Sequence, residues 1–483
     1  MRPAEIVGEE NVVTAAEAVE EYCPWPGSAV ARSAACVVRP GNVGELQAVV
    51  RWANEEKAPL VPASSGPPHR RGGTVPSAEG AVIVDLRRMN RILRVDAANR
   101  VAVVEPGVTF GELQAELARA GLSAYTLLLP RGSKSVLAAA LDRDPILMPA
   151  AHFDSTDPML CTEMVLGTGD RIRTGEAAGP DSLEEQWEIG KAQISPFGPT
   201  QMDMQRLVSG AQGTIGIVSW MSLKCRFLSE VTRSFFVPSV ALEPLIDLSY
   251  RLTRIRFSGN LFILNGIGLA ALLCHAPEEI AALCDKLSPW IMFVSCEGYG
   301  PLPEEKVEYL EADLRELAHS RGLQPEADIA GASAEKLSSL LTLPSPEPFW
   351  KLRLRGGCSD LFFLTTQGKT PHFAGIMWEL AARQGFPVED IGVYIQPVVQ
   401  GTSCHCEFDL FHDPADEAAA RRVGDLAKQA ADALEAEGAF FSRPYGAWRD
   451  VAYRRNLDTA EMQKKIKKIF DPNNILNPGK LCF

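Results

Sequence analysis

The segment that most constrains the fold is residues 36–76. Its first part is rich in β-branched side chains, residues 43–56 place apolar side chains at helical spacing, and a short apolar run follows. The loop PASSGPPHRRGGTVP comes next, from Pro62 to Pro76. The pattern predicts a strand, a helix and a strand that lead directly into a glycine-containing loop.

Residues 81–121 predict an α+β fold. Three short strands, separated by turns, precede an amphipathic helix with Thr109 as N-cap and Gly121 at its C-terminal end. A doubly wound sheet alternates strands with helices, and its nucleotide-binding version carries GxGxxG after the first strand. Here short strands follow one another without intervening helices, and no GxGxxG follows the first strand.

The remaining chain predicts a second unit inserted into the first. Residues 159–176 read as a hairpin and residues 203–225 as a helix, a glycine turn and a strand. Helices then alternate with strands up to about residue 446, and a last helix precedes DPNNILNPGKLCF. We predict a domain over 1–226, completed by 447–483, and a second domain over 227–446. The expected elements of the second domain are helices 303–319 and 415–437 and strands 290–296, 391–397 and 404–411.

Composition narrows the functional class. A chain of 483 residues is too long for one core. The net charge of -13 disfavours nucleic acid and anionic membranes as partners. The sequence has no run of 18 apolar residues, no secretory signal and no CxxC among its 11 cysteines. We therefore expect a cytoplasmic enzyme with reduced thiols and without a membrane span.

Several motifs occur together in the order of a known family. They are VIVDLRRMNRIL, VEPGVTFGELQAEL, CTEMVLGTGDRIRTGE, GAQGTIGIVSWMSLK and FDPNNILNPGK. With them the chain resembles flavoproteins of the vanillyl-alcohol oxidase and 4-cresol dehydrogenase group. The resemblance implies a PCMH-type FAD-binding domain of two α/β subdomains and a cap domain with an antiparallel sheet flanked by helices. It also implies a homo-oligomer, a dimer or larger.

The resemblance places FAD against the opening loop. Backbone N–H groups in tight turns bind a pyrophosphate, but Pro67 and Pro68 each remove such a donor. Serine, histidine and arginine side chains replace them as donors in our interpretation. The predicted FAD-binding residues are Ser64, Ser65, Gly66, His69, Arg70, Arg71, Gly72, Gly73, Pro106, Gly107, Gly132, Ser133, Gly213, Thr214, Gly216, Ile217, Asn474 and Asn477.

Four residues are candidates for catalysis through the same resemblance. Asp154 falls where an acidic residue approaches the flavin and is the predicted base. Arg449 and Trp448 fall at an arginine–tyrosine pair that binds a phenolate, although Trp448 and, elsewhere in the pocket, Phe110 lack the tyrosine hydroxyl. His405 falls at a histidine that some members attach covalently to the flavin, so covalent attachment here is an open alternative.

The substrate pocket is predicted to include cap residues. Tyr394 and Gln396 lie on one predicted strand, and Arg353 and Arg355 lie on one face of another by strict alternation. The metal-binding histidines of related D-2-hydroxyacid dehydrogenases are missing, so no metal is expected.

Three functions remain open at this point. The leading one is an FAD-dependent oxidoreductase that oxidises a small aromatic, phenolic or benzylic, or hydroxylated substrate by hydride transfer to the flavin. The alternatives are a D-2-hydroxyacid dehydrogenase subunit, for lactate or glycolate, with an iron–sulfur partner, and a degenerate flavoprotein fold kept as a scaffold. A dehydrogenase of either kind implies an electron-transfer partner protein.

Overall fold

The structure is a computed structural model that describes residues 2–22, 34–67, 69, 74–199, 203–257 and 259–483. Its first sheet has the order β1-β2-β4-β3, with β2, β3 and β4 parallel and β1 antiparallel to β2. The strands are β1 Val12–Val13, β2 Ala34–Val38, β3 Leu60–Ala63 and β4 Ala81–Asp85, and the helices are α1 Pro3–Val7, α2 Ala16–Glu20 and α3 Val43–Glu56.

A second, antiparallel sheet follows with the order β5-β6-β10-β8-β9, and β7 pairs with β10. Its elements are β5 Ile92–Asp96, β6 Val101–Val104, β7 Leu122–Ala124, β8 Met159–Leu166, β9 Arg171–Arg173 and β10 Gly216–Phe227, with helices α4 Phe110–Arg119, α5 Val136–Leu141 and α6 Leu183–Glu188. The predicted hairpin is β8–β9. Thr109 caps α4 in a capping box with Glu112, as the sequence predicted.

The third sheet is antiparallel and six-stranded, with the order β11-β13-β12-β17-β18-β16. Its strands are β11 Val231–Ser239, β12 Leu261–Asn265, β13 Trp290–Gly298, β16 Gly357–Thr365, β17 Ile391–Val398 and β18 Ser403–His412, and β14 Asp328–Ile329 and β15 Ala332–Ser333 form a separate hairpin. The helices of this part are α7 Glu243–Arg254, α8 Gly266–Leu273, α9 Pro277–Cys284, α10 Pro303–His319, α11 Ala334–Leu340, α12 Thr370–Gln384 and α13 Glu417–Ala436.

The two faces of this sheet differ in polarity because successive side chains of a strand point to opposite sides. On β18, Cys404, Cys406, Phe408 and Leu410 pack into a core with residues of α7, α10, α12 and α13. The alternate residues His405, Glu407 and Asp409 are buried on the opposite face. A row of buried polar side chains therefore lies on the face away from that helix layer.

The C-terminal segment returns to the first sheet. It contains α14 Arg449–Tyr453 and α15 Leu457–Phe470. Leu60 of β3 donates to the carbonyl of Ile475 at 2.7 Å and accepts from the amide of Asn477 at 2.7 Å. Lys467 of α15 donates to the carbonyl of Thr214 at 2.7 Å. The predicted boundaries between two domains stay a prediction, while sheet membership changes between β10 and β11.

Candidate functional site

A cavity of about 250 Å³ lies where the first sheet, the turn before β10 and the polar face of the third sheet meet. One end is lined by the loop after β3 and by Gln212 and the glycines that follow it. The other end is lined by Trp350, Lys351, Asp360, Tyr394 and Glu407. We call the first end the loop end and the second the inner end.

Six of the predicted FAD-binding residues line the loop end: Ser64, Ser65, His69, Gly213, Gly216 and Ile217. Gly213 has φ +71°, and an added Cβ would lie 2.3 Å from a side-chain carbon of Pro62. Only glycine therefore allows this turn at the wall of the cavity. The strand–loop junction at residues 64–69 and the glycine turn at residues 213–217, which are 144 to 153 residues apart in sequence, are thus brought together by the fold.

Other predicted FAD-binding residues support that wall from behind. Gly66 donates its N–H to the carbonyl of Ser133 at 2.9 Å, and Ser135 donates its hydroxyl to the carbonyl of Pro106 at 2.5 Å. Gly107 donates to the carbonyl of Met89 at 2.7 Å. Thr214 is buried and donates to the carbonyl of Ala211 at 2.7 Å.

The remaining cofactor predictions differ in their outcome. Asn477 is buried and donates to the carbonyl of Gln212 at 2.7 Å, so it holds a residue of the loop end. Asn474 is exposed and does not line the cavity, and space is open around Gly132, where an added Cβ would meet nothing within 4 Å. Arg70, Arg71, Gly72 and Gly73 lie outside the described residues.

His69 is the clearest sign that the loop end receives a ligand. It is buried, stacks on Tyr22 with ring centroids 5.3 Å apart, and its Nε2 has no hydrogen-bond partner among the described residues. Burial, with the positive charge of Arg131, lowers the pKa of His69 to about 4. A buried neutral imidazole nitrogen without a partner costs free energy unless a ligand or water pairs with it. The donor set of the loop end therefore fits a polar cofactor.

The inner end is built around a buried ammonium. Lys351 Nζ lies 2.6 Å from Asp409 Oδ1 and 3.3 Å from Asp360 Oδ2, and it also donates to Glu407 Oε1. We call Lys351, Asp360, Glu407 and Asp409 the inner cluster. Burial alone lowers the pKa of Lys351, but the three carboxylates outweigh it and raise that pKa well above its ordinary value. Burial raises the pKa of Asp409 well above its ordinary value, although Lys351 opposes the shift.

A hydrogen-bonded chain of side chains leads from the inner cluster back along the cavity. Glu407 Oε2 lies 2.7 Å from His405 Nε2, and Arg443 lies 3.1 Å from His405 Nδ1. Arg443 also donates to Asp144 at 2.8 Å, and Asp144 lies 3.3 Å from Lys134. A guanidinium can only donate, so Nδ1 of His405 must accept, and the ring proton lies on Nε2, where it is donated to Glu407.

This arrangement defines what His405 does. His405 is buried and neutral in the tautomer with its proton on Nε2, and it orients Glu407, which lines the cavity. His405 itself does not line the cavity. Covalent attachment of FAD at His405 would require one of its two nitrogens to give up its present hydrogen bond.

The predicted base Asp154 lies in a surface turn. It accepts from Thr156 N–H at 2.9 Å and from Arg206 at 2.6 Å, and its side chain is 39% exposed. Partial burial raises the pKa of Asp154, but the hydrogen bonds from Arg206 and Thr156 outweigh it and lower the pKa to about 2. Asp154 does not line the cavity, and so strong a conjugate acid makes a poor base at neutral pH.

The predicted phenolate-binding group is also placed away from the cavity lining. Arg449 pairs with Asp450 at 3.0 Å and donates to the carbonyl of Gly479 at 2.7 Å. Trp448 is buried, packs on Phe362 and donates to the carbonyl of Arg443 at 3.0 Å. Phe110 is buried in the core around α4. Trp448 therefore contributes indirectly, by fixing the backbone of the arginine that contacts His405.

The prediction for residues 353 and 355 is wrong in its local structure. Trp350–Leu352 is a 3₁₀ helix, and Arg353 and Arg355 lie outside any strand. Arg353 is buried and donates to four carbonyl groups, whereas Arg355 is exposed and pairs with Asp390. Alternating apolar side chains imitate a strand, but tertiary packing of Trp350 and Lys351 determines the backbone here.

Tyr394 and Gln396 lie on β17, as predicted, and both are buried. Tyr394 lines the inner end, and burial raises its pKa well above the ordinary value. Gln396 accepts from the Tyr394 hydroxyl at 3.4 Å and does not line the cavity. Tyr394 is therefore a neutral phenol on the cavity wall.

The inner cluster was not among the sites predicted from the sequence. Its signal was the strand SCHCEFDLF, in which His405, Glu407 and Asp409 alternate with apolar side chains. Three polar residues on one face of a buried strand indicate a polar site. Asp360 and Asp409 face each other across β16 and β18, which is unfavourable unless a cation lies between them. Lys351 is that cation.

Two family models match the chain. One, the FAD binding domain, covers residues 34–143, and the other, the C-terminal domain of FAD linked oxidases, covers residues 447–481. The first segment contains the loop after β3, and the turn before β10 lies outside both segments. The chain is an FAD-dependent oxidoreductase with a PCMH-type FAD-binding fold. Its cofactor is FAD, and the buried His69 and the serine and glycine residues of the loop end are the donor set that fits it.

Relatives of this flavoprotein span its full length. The flavoprotein subunit of 4-cresol dehydrogenase from Pseudomonas putida is 24% identical and aligns over 98% of this chain and 93% of its own. A D-2-hydroxyglutarate dehydrogenase from Stutzerimonas stutzeri is 27% identical over 99% and 97%. The 4-ethylphenol oxidase from Gulosibacter chungangensis has the same fold, with a TM-score of 0.84, 21% identity and coverage of 99% and 95%. The scaffold alternative is set aside.

Among the described residues, one group of possible metal ligands lies beside Lys351. Cys358, Asp360 and Asp409 carry donor atoms within 4.8 Å of one another, but Lys351 already contacts both carboxylates. The absence of a metal stays a prediction. Within the ranges that the structure describes, no helix combines the length and apolar character needed to cross a bilayer.

Proposed function

We propose that this flavoprotein oxidises a small aromatic, phenolic or benzylic, or hydroxylated substrate by hydride transfer to FAD. The observation that carries the proposal is the cavity itself. It extends from the FAD-binding loop end to an inner end with aromatic walls and a buried carboxylate, Glu407. Relatives named for 4-cresol and 4-ethylphenol oxidation support an aromatic substrate.

In this proposal the loop end binds FAD and the inner end binds the substrate. Ser64, Ser65 and the glycine turn at Gly213 would hold FAD, which supplies the hydride acceptor when bound. Trp350 and Tyr394 give the inner end apolar surface on which an aromatic ring packs. Glu407 accepts a hydrogen bond or a proton from the substrate, because Lys351 and His405 already hold it in place.

A D-2-hydroxyacid dehydrogenase is the second candidate. The relative named D-2-hydroxyglutarate dehydrogenase, which aligns over almost the whole chain, favours it. A substrate of that class brings at least one carboxylate and therefore needs a cation in the cavity. Lys351 and Lys134, two of the cations that line the cavity, already have carboxylate partners. The aromatic alternative is therefore preferred.

Anaerobic titration separates these candidates. The purified protein should carry a flavin spectrum, and the absorbance should bleach with substituted phenols or benzylic alcohols but not with D-lactate, glycolate or D-2-hydroxyglutarate. Bleaching by the hydroxyacids alone would replace the first candidate with the second. An intact flavin spectrum that no compound of either panel bleaches would contradict both.

The electron acceptor and the oligomeric state are part of the proposal. We propose a homo-oligomer, and a partner protein as electron acceptor if reduced flavin reacts slowly with oxygen. The P. putida relative is itself named as a subunit, which supports a partner. Light scattering during size-exclusion chromatography tests the first point, and reoxidation of photoreduced enzyme by oxygen compared with ferricenium tests the second.

A further inference from the structure

The charged groups at the inner end of the cavity present acceptors rather than donors. An ammonium group has three N–H donors, and Lys351 directs hydrogen bonds or ion pairs to Asp360, Glu407 and Asp409. Two of these carboxylates, Asp360 and Glu407, line the cavity. The cation therefore neutralises part of the cluster instead of facing the substrate.

The charge of the inner cluster remains negative. Three carboxyl groups share the single ammonium of Lys351, so the cluster keeps a negative charge even where burial, which raises the pKa of Asp409, leaves a proton on that group. The next acids along the cavity, Asp142 and Asp144, share Lys134 at 2.7 and 3.3 Å. The remaining cation of the lining, Arg131, lies at the loop end, where it donates to the carbonyl of Gly66.

A second observation indicates that a polar ligand belongs here. Trp350 lines the inner end, is almost fully buried, and its indole Nε1 has no hydrogen-bond partner among the described residues. An indole N–H is only a donor, so it requires an acceptor. A ligand that satisfies this end thus accepts from Trp350 and donates to Asp360 or Glu407. A hydroxyl group does both, whereas an ammonium group donates to the carboxylates but leaves the indole N–H unpaired.

We propose that the Asp360–Glu407 end of the cavity receives a hydroxyl or ammonium group of the substrate and rejects carboxylates and phenolates. The substrate class is then a neutral or cationic, hydroxyl- or amine-bearing aromatic molecule. This inference rests on the proposed aromatic substrate and narrows it. It is the reverse of recognition by an arginine such as Arg449, which would select an anionic oxygen.

Three probes with one ring and one functional group test the charge preference. Benzyl alcohol, benzylamine and benzoate are neutral, cationic and anionic at pH 7, and their binding to the FAD-loaded protein is measured by calorimetry. We expect the alcohol and the amine to bind at least about tenfold more tightly than benzoate, because like charges at close range oppose binding. Equal or tighter binding of benzoate would overturn the inference alone. Absence of binding by all three would contradict the aromatic substrate as well.

Variants locate the effect. In Glu407→Gln, benzoate should gain about tenfold relative to benzylamine, since one negative charge is removed without loss of volume. The matched control Glu437→Gln alters an exposed glutamate that pairs with His372 and should keep the wild-type ratio. Asp360→Asn is the second variant if Glu407→Gln does not fold. An unchanged ratio in both folded variants would contradict the assignment.

Trp350→Phe separates the acceptor requirement from the charge requirement. Benzyl alcohol carries an oxygen acceptor, whereas the ammonium of benzylamine carries none. The substitution should weaken the alcohol about three- to tenfold, as expected for one hydrogen bond, and leave the amine unchanged. Equal losses for both probes would show that the ring, and not the indole N–H, contributes to binding.

Discussion

Two acidic sites of the molecule show how differently a carboxylate behaves in a turn and in a sheet. In the surface turn at residues 152–157, Asp154 is exposed to solvent and held by Arg206. On β18, Glu407 is 3% exposed and held by Lys351 and His405 at the wall of the cavity. The turn stabilises an ion that has no contact with the cavity, whereas the strand places a charge where a substrate binds.

The two acidic sites differ in their contribution to stability because one is at the surface and the other is buried. A surface pair such as Asp154–Arg206 is worth at most about 1 kcal/mol because water screens it. The inner cluster is largely buried, so each charge depends on its partners, and the loss of one partner leaves the others without compensation.

Lys351→Met should cause the largest change, a loss of about 3–5 kcal/mol in the free energy of unfolding, because it leaves three carboxylates, of which Glu407 and Asp409 are buried, without their cation. The measurement is the urea midpoint at pH 7. The control Lys464→Met removes an exposed lysine that pairs with Glu461 and should change stability by less than about 0.5 kcal/mol.

The stability of Lys351→Met should depend on pH in a defined direction. Without Lys351 the buried carboxyls bind protons more tightly in the folded than in the unfolded state, so stability rises as pH falls. The difference between variant and wild type should therefore shrink between pH 7 and 5. A constant difference would mean that lost packing, rather than uncompensated charge, explains the effect.

Much of the fold was predictable because its signals are local. The predicted helix 303–319 coincides with α10, and residues 43–56 form α3 with Asn42 as N-cap. The turns of the loop end could also be predicted from the sequence, because glycines near Ser65 and at residue 213 allow tight turns. These patterns depend on neighbours in sequence and survive tertiary packing.

The inner end was not predictable in the same way because its partners are distant. Arg443 and Asp144, which form one ion pair, are 299 residues apart. Lys351 comes from a segment whose alternation imitates a strand, and its role appears only when β16 and β18 pair beside it. Sequence shows which residues are polar, but only the register of the sheet shows which of them meet.

His69 gives the second-largest effect and extends the contrast to the loop end. Its pKa is depressed to about 4 in the folded state, so the unfolded chain alone binds a proton between pH 6.5 and 4. Stability should fall as pH falls through this window, by about 3 kcal/mol at most, and lose nothing more from this group below pH 4. His69→Gln should not show this pH-dependent loss of stability when urea midpoints at pH 7 and 4.5 are compared.

The matched control for that experiment is His372→Gln. His372 is half exposed and pairs with an exposed glutamate, so it should show the wild-type difference between the two pH values. The same difference in His69→Gln would contradict a buried, neutral His69. Titration of the His69 ring followed by NMR provides an independent measurement of its pKa.

Arg353 and Arg355 form a third contrast, between a buried and an exposed arginine two residues apart. Arg353→Met should cost about 2 kcal/mol or more, since it removes the donor of four backbone carbonyls. Arg355→Met breaks only the surface pair with Asp390 and should cost less than about 0.5 kcal/mol. Equal losses would show that Arg353 stabilises the fold through its apolar stem rather than its hydrogen bonds.

Asp154→Asn should have the smallest effect and decides between the two acidic sites. If Asp154 were the base, the substitution would slow anaerobic flavin reduction by about 10²–10⁴-fold. Its exposed position and its pKa of about 2 predict less than a twofold change and a stability loss below about 1 kcal/mol. Glu407→Gln, measured beside it by stopped-flow reduction at saturating substrate, should show the large loss instead. If flavin reduction were slow in Asp154→Asn and fast in Glu407→Gln, Asp154 would be the base after all. At saturating substrate, the reduction rate changes only when the altered group contacts the substrate.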